Sequence, residues 1–484
     1  MTRFAPFGSL TGFLGLLLLL LFIGCDKGDK DPNQEPDTRI ALEKIDLSGE
    51  DRLNSIVTLN WFGSDKDGFV IGYELSFDGE SWEFVTVSDS TFVFSIQAGS
   101  DTVDIDFFVR AVDDQEDRDP SPAYLSIPLK NTAPTVVFDM DLLPPDTVNS
   151  VLSLSWTAND LDGVQTIDST LIRINGGPWY PLNQDADFVS LIPENPDVAG
   201  SGNALVYYGS TTPETNLLSG IVVGDTNRIE VKVVDIAGSS SIPASAGPFF
   251  VRAKTSDLLV IGANAATPAG FYSSIINNVY TGGFDFVDYG FNAGENQPRF
   301  WNPSFKLLIS LYDKVFLYSD QTTYTDAQTS QDQLVLEFGA SALQEYLNEG
   351  GKAFITTSLP ANLATTSSVF QTMPMDSLSS ASGQATMNID TTLTAQEPEY
   401  DDLRTSEFVL GLDPFYPTAD AEVMYTAGLT ANGGWTGPGE IAARRKLNGN
   451  INQVFFAIEL HKVNNDPTAL NDLFDQILNN DFNW

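Results

Sequence analysis

One cysteine, Cys25, and one histidine, His461, bound the chemistry open to this chain. They cannot supply an internal disulfide or a Cys/His zinc or iron–sulfur site. What remains is hydroxyl and carboxylate chemistry. Ser358 could act as a nucleophile with His461 as its base, and Glu459 or Asp466 could orient the imidazole, as in a hydrolase. Ser358 lies in Thr356-Thr357-Ser358-Leu359-Pro360, without the flanking glycines of a nucleophile elbow. The reading therefore favours a non-catalytic chain in which Ser358 caps a loop and His461 packs or meets solvent. The Ser358–His461 hydrolase is the alternative. Carboxylates are so abundant that no pair stands out as a glycosidase's.

Two acidic turns offer a second chemistry. Asp65 and Asp67, and again Asp160 and Asp162, stand in Asp-x-Asp-Gly turns and are candidate calcium ligands. Calcium asks for about six to eight oxygens, and each turn brings only a pair of carboxylates. The competing expectation is an Asx-type turn, each carboxylate accepting nearby backbone N–H groups. A third chemistry is stacking. Phe271, Tyr272, Trp301 and Trp435 fall at loops or element ends, where aromatic rings hold glycans or anchor protein partners, unless they fill the core. The net charge of −41 excludes an electrostatic nucleic-acid binder, which needs a basic face.

The elements that carry these residues come in two styles. The first is a repeat. Leu59-Asn60-Trp61-Phe62-Gly63-Ser64-Asp65-Lys66-Asp67-Gly68 matches Leu154-Ser155-Trp156-Thr157-Ala158-Asn159-Asp160-Leu161-Asp162-Gly163. Asp78-Gly79-Glu80-Ser81-Trp82 then matches Asn175-Gly176-Gly177-Pro178-Trp179, and Val109-Arg110-Ala111-Val112-Asp113 matches Val231-Lys232-Val233-Val234-Asp235. Val57, Leu59 and Trp61 alternate with Thr58 and Asn60, the period of a half-buried strand. Short strands with Gly-containing turns predict two β-sandwiches, residues 37–131 and 132–253, with Trp61 and Trp156 as core tryptophans. Asn131-Thr132-Ala133-Pro134 is the expected joint, and the second copy carries an insertion between Trp179 and Asp235. These blocks resemble the fibronectin-type-III or immunoglobulin-like modules of bacterial surface proteins.

From residue 254 to 484 the style changes to buried apolar strands alternating with helices. This predicts an α/β three-layer domain with a mostly parallel sheet. The stretch from Leu359 to Tyr400, rich in Ser, Thr, Ala and Met, reads as a long loop, a lid or mobile insertion. The strand YDKVFLYSD (312–320), the helix end YLNEGG (346–351) and the strand KAFITTS (352–358) resemble the class I glutamine-amidotransferase-like, flavodoxin-related fold. The segment Phe455 to His461 resembles that family's last strand with its catalytic His. The family's nucleophile is a Cys. Here that region holds Ser358, so the resemblance implies a degenerate scaffold without amidotransferase activity.

The N-terminus supplies an address. Arg3 precedes an apolar run from Phe13 to Ile23, shorter than the ~20 residues a bilayer needs, as in a signal peptide spanning residues 1–24. Phe22-Ile23-Gly24-Cys25 resembles a bacterial lipobox, which implies a mature N-terminus at a lipidated Cys25. Residues 25–36 are polar with Gly and Pro, as expected of a flexible tether. The charged run after Cys25 resembles the surface-export signal of Bacteroidetes-type lipoproteins. The expectation is an outer-membrane lipoprotein, held to the membrane through Cys25 and presented at the surface. It would have a binding or assembly role toward an envelope protein or a glycan, with the sandwiches as stalk and the α/β domain as presenting surface.

Overall fold

The computed structural model describes residues 32–41, 52–94, 96, 100–264, 268–290, 301–326, 330–360, 363–379 and 382–484. The expected signal peptide and Cys25 lie outside the described residues. The chain is predominantly β and forms two compact units, one ending at Asn131 and one running from Thr132 to Trp484.

The first unit is a β-sandwich. Asp37–Ile40, Ile56–Ser64 and Asp89–Val93 form one sheet, and Glu83–Val85, Val70–Ser76, Thr102–Asp113 and Ala123–Lys130 the other. Along Ile56–Ser64 the residues alternate between exposed and buried, as the sequence period requires. Trp61 is 2% exposed and lies among Tyr73, Phe92 and Phe107, with ring centroids 5.8–6.5 Å away. Its indole N–H donates to the Val87 carbonyl at 3.1 Å, so the buried ring carries no unmet polar atom.

The second unit opens with a larger sandwich of five strands on five. The insertion seen in the sequence supplies the extra hairpin, Gly200–Tyr207 and Leu218–Val223, at one sheet edge. Trp156 is 1% exposed and meets Phe138 edge-on at 6.4 Å. The repeat reaches the outer faces too. Arg110 lies 4.0 Å over Trp82, and its counterpart Lys232 lies 4.9 Å over Trp179.

This sandwich shares a core with the C-terminal part of the same unit. Val151, Ile192 and Tyr207 belong to the same buried cluster as Leu259, Val287 and Phe305. Asn149 Nδ2 donates to the Phe286 carbonyl at 2.9 Å, and the hydroxyls of Ser153 and Ser304 stand 2.5 Å apart.

The C-terminal part is built on a nine-stranded sheet. Its order is Asp285–Asp288, Leu258–Ala263, Lys314–Ser319, Lys352–Thr357, Asn450–Phe456, Glu440–Leu447, Glu422–Ala427, Thr392–Ala395, Leu403–Arg404. The first five strands are parallel and the rest antiparallel, so the expectation of a mostly parallel sheet is corrected to a half-and-half mixed one. Alternate strand residues face opposite ways. Leu259 and Ile261 join the helix Val335–Asn348, whereas Leu258 and Val260 join the helices Ala269–Val279 and Pro467–Asp475. The helix Val335–Asn348 stops at Gly350, whose φ of 99° suits only a residue without Cβ.

The expected long loop is also corrected. Between Leu359 and Tyr400 run the helix Ser368–Thr372 and the strands Met375–Leu378, Gln384–Met387 and Thr392–Ala395. Met373, Met375, Met387 and Leu393 are fully buried, so the methionines that made the stretch look loop-like are core residues. Among the described residues no helix is long and apolar enough to cross a membrane.

Candidate functional site

The parallel strands end on one side of the sheet, and the polar residues at their ends converge there. Leu258–Ala263 delivers Asn264, Lys314–Ser319 delivers Asp320, and Lys352–Thr357 delivers Ser358. Beyond Asn450–Phe456 the chain reaches Glu459 and then the 3-10 turn Leu460–Lys462, which holds His461. These residues, with Phe271 beside the start of the helix Ala269–Val279, line a cavity of about 720 Å³. The carboxyl edge of a parallel sheet is where α/β folds leave a ligand crevice.

Glu459 is the hub. Its carboxylate is 7% exposed and accepts from Asn264 Nδ2 at 3.1 Å and Lys462 Nζ at 2.9 Å. His461 Nε2 stands 3.5 Å from the same carboxylate. Thr356 fixes this geometry from below, because its hydroxyl donates to the Ile458 carbonyl at 2.6 Å and accepts the Leu460 N–H at 3.0 Å. The other ring nitrogen of His461, Nδ1, lies 3.3 Å from the Tyr272 hydroxyl. That hydroxyl also accepts the His461 backbone N–H at 3.1 Å. A carboxylate can only accept, so a neutral imidazole facing Glu459 carries its proton on Nε2 and leaves Nδ1 to accept from Tyr272.

Ser358 shares the cavity with His461, yet no hydrogen bond links its hydroxyl to that ring among the described residues. Asp466 is not an orienting group. Its carboxylate caps the helix Pro467–Asp475, accepting from Thr468 N at 3.1 Å and Ala469 N at 3.2 Å.

Burial pushes the His461 pKa below its ordinary value, against the opposing pull of Glu459. A folded-state pKa below the unfolded one means that the unfolded chain binds more protons at low pH. This contribution to stability is present above about pH 6.5 and is lost as the pH falls through the folded value. Because the chain has a single His, its ring-proton NMR signal is unambiguous. The expected titration midpoint lies below about 6.5, and a midpoint at or above that value would contradict the buried, neutral ring.

The other sequence candidates separate. Phe271 stands at the crevice with its ring centroid 6.3 Å from that of His461. Tyr272, 1% exposed, and Trp435, 8% exposed, are core residues and offer no stacking face. The side chain of Trp301 lies outside the described residues.

In the acidic turns the carboxylates accept nearby donors, while Asp65 Oδ2 is buried with no hydrogen-bond partner among the described residues. Asp65 accepts the Asp67 N–H at 3.3 Å, and Asp160 accepts the Asp162 N–H at 2.9 Å and the Thr166 hydroxyl at 3.0 Å. The second Asp of each turn grips the segment that enters its own module: Asp67 accepts from Gln34 N at 3.2 Å, and Asp162 from Thr132 N at 2.6 Å. Asn33 is likewise held by Asp113 at 2.6 Å and Asp117 at 2.9 Å, so the end of the segment read as a tether is fastened to the sandwich. Among the described residues no group of three or more His, Cys, Asp or Glu side chains could hold a metal.

Sequence reasoning passed over Asn264, Asp320 and Lys462. The signal for the first two was present, since each directly follows a buried apolar strand.

No protein-family model and no curated protein matches the sequence. Among solved structures, the fibronectin(III)-like modules of Clostridium thermocellum CbhA align over 45% of this chain and 95% of theirs, at 15% identity and a TM-score of 0.18. SGBP-B of the Bacteroides ovatus mixed-linkage glucan utilization locus, solved with a mixed-linkage heptasaccharide, aligns over 48% of this chain and 51% of its own, at 13% identity and a TM-score of 0.13. The chain thus spans about half the length of that second protein, and neither likeness bears on ligand or activity.

Proposed function

We propose that this chain is a lipid-anchored protein of the bacterial cell envelope whose C-terminal crevice binds a small ligand without turning it over. The address rests on the lipobox-like Phe22-Ile23-Gly24-Cys25 and the short apolar run before it. Replacing Cys25 by serine is expected to move the protein from the membrane to the soluble fraction and to abolish labelling by a clickable palmitate analogue. Retention of both would sink the anchor.

The amidotransferase-like, flavodoxin-related reading of residues 254–484 is supported by the order of the parallel strands. The first strand, Leu258–Ala263, lies between the second and the third, so the strand order reverses beside Asn264 and Asp320. A crevice at such a reversal is where this class of sheet takes ligands.

The observation that supports the non-catalytic reading is the placement of His461. One ring nitrogen lies 3.3 Å from the Tyr272 hydroxyl and the other 3.5 Å from the Glu459 carboxylate, and no hydrogen bond joins the ring to Ser358 among the described residues. The hydrolase reading keeps one point in its favour, that Ser358 and His461 border the same cavity. Hydrolysis of activated esters by the purified chain decides between them. The expected rate equals the buffer background and does not change in Ser358→Ala. An esterase rate that falls by about 10³-fold or more in that variant would establish the hydrolase instead.

A further inference from the structure

The way the chain enters its first unit says which end of that unit meets the membrane, an inference that rests on the lipid-anchor reading above. Asn33 Nδ2 donates to Asp113 Oδ2 at 2.6 Å and to Asp117 Oδ2 at 2.9 Å, and the Asn33 side-chain oxygen accepts from Gln115 Nε2. Asp67 accepts the Gln34 N–H at 3.2 Å. Farther in, Asp119, 2% exposed, accepts the Thr38 N–H at 2.7 Å, and the Thr38 hydroxyl accepts the Ala111 N–H at 2.7 Å. The entering segment is therefore pinned, from Asn33 to Thr38, against the hairpin that turns Thr102–Asp113 back into Ala123–Lys130.

Two lengths then decide the orientation. Asn33 is the eighth residue after Cys25, and eight residues reach at most about 28 Å when fully extended. The strand Thr102–Asp113 has 12 residues and runs about 36 Å along the unit. Its Asp113 end carries the pinned segment. Its Thr102 end pairs with Lys130, and the Asn131 N–H donates to the Asp101 carbonyl at 2.9 Å, so the chain leaves the unit there. The leash is shorter than the strand. With Cys25 held in a bilayer, the unit cannot stand on its Thr102 end, because Asn33 would then be out of reach. The orientations that remain run from standing on the Asp113 end to lying flat.

We propose that the end of the first unit built from the Asp65–Gly68 turn and the Asp113–Arg118 hairpin faces the lipid surface, and that the chain leaves the unit at the end farther from it. The unit is then a directional spacer, set upright by a short leash rather than swinging freely on a tether.

Energy transfer from a dye on the lipidated full chain to rhodamine-labelled lipid in phosphatidylcholine vesicles measures this. Lys66→Cys and Thr102→Cys place the dye at the two ends, both at exposed positions, and lipidation occupies the chain's one native thiol. Transfer from residue 66 is expected to exceed that from residue 102 by at least about twofold, given the strand length between the ends. If Thr102→Cys fails to fold, Asp101→Cys, exposed at the same end, takes its place. Inserting about twenty Gly/Ser residues after Gly28 should remove most of the difference, because a leash that long permits every orientation. Equal transfer from the two ends, or a difference that survives the insertion, would overturn the proposal while flotation of the protein with the vesicles left the anchor standing. Failure of the protein to float with the vesicles at all would overturn both.

Discussion

Replacing Arg444 with methionine is expected to destabilise the unit from Thr132 to Trp484 by about 3 kcal/mol, the low end of what removing one partner of a buried ion pair costs. Arg444 is 3% exposed and sits in the antiparallel half of the large sheet. Its guanidinium holds Glu397 at 3.1 Å, Glu399 at 2.6 Å and Glu422 at 2.8 Å, and it donates to the Tyr400 hydroxyl at 3.2 Å. Methionine fills a similar volume, so the loss is electrostatic rather than steric. Three carboxylates would then face one another without their shared cation. They are each about a third exposed, so water screens part of the repulsion and places the figure at the low end. Urea unfolding reads the effect as a lower midpoint at unchanged slope. Adding Glu399→Gln and Glu422→Gln to the variant should recover part of the loss, which tests the attribution to charge. The pH dependence gives a second check. Arg444 holds the Glu399 pKa below the ordinary carboxylate range, and Lys446, with Arg444 second, does the same for Glu422, through hydrogen bonds and charge. Their contribution is present above the unfolded pKa of about 4.3 and is lost as the pH falls through the folded values, so the wild type and the variant should converge in acid. A loss under about 1 kcal/mol at neutral pH would mean that solvent carries these carboxylates unaided.

The contrast between that sheet and the sandwiches explains what a single sequence can disclose. Trp61 and Trp156 were legible because strand burial has a period of two, and a repeated block shows the period twice. The antiparallel half of the large sheet was not legible, because its pairings join distant segments. Leu393 pairs with Ala427, and neither neighbourhood has a long apolar run. One local signal was available and went unread. Asn448-Gly449 takes positive φ at both residues, 53° and 88°, and turns Glu440–Leu447 back into Asn450–Phe456. An Asn-Gly pair between such strands is a strong hairpin signature. The site divides in the same way. Ser358, Glu459 and His461 announce themselves by residue type. Asn264 and Asp320 are marked in the sequence only by following buried apolar strands, and it is parallel pairing that brings those strand ends together. Tyr272 and Trp435 show the converse, since an aromatic near an element end in sequence can still be deep in the core.

Truncation of the two core tryptophans carries the other large expected effect, and it tests whether the second sandwich and the nine-stranded sheet behave as one body. Trp61→Ala and Trp156→Ala should each destabilise their own unit by about 3–5 kcal/mol, the range for deleting a large buried aromatic. Phenylalanine should separate them. Trp61→Phe removes the hydrogen bond from the indole to the Val87 carbonyl. Trp156→Phe removes an indole N–H that has no partner among the described residues, so it should cost about 1 kcal/mol less. The reach of Trp156→Ala is the sharper question. Val151, Ile192 and Tyr207 on the sandwich share a buried cluster with Leu259 and Val287 of the large sheet, and Asn149 is bonded to the Phe286 backbone. A shared core transmits loss of packing, because its two sides cannot be exposed independently. Hydrogen exchange should therefore show Leu152–Asn159 and Leu258–Ala263 losing protection together in Trp156→Ala. Full protection of Leu258–Ala263 in that variant would mean that the sandwich opens alone. The crevice at Asn264, directly after that strand, would then be positioned by the large sheet without help from the sandwich.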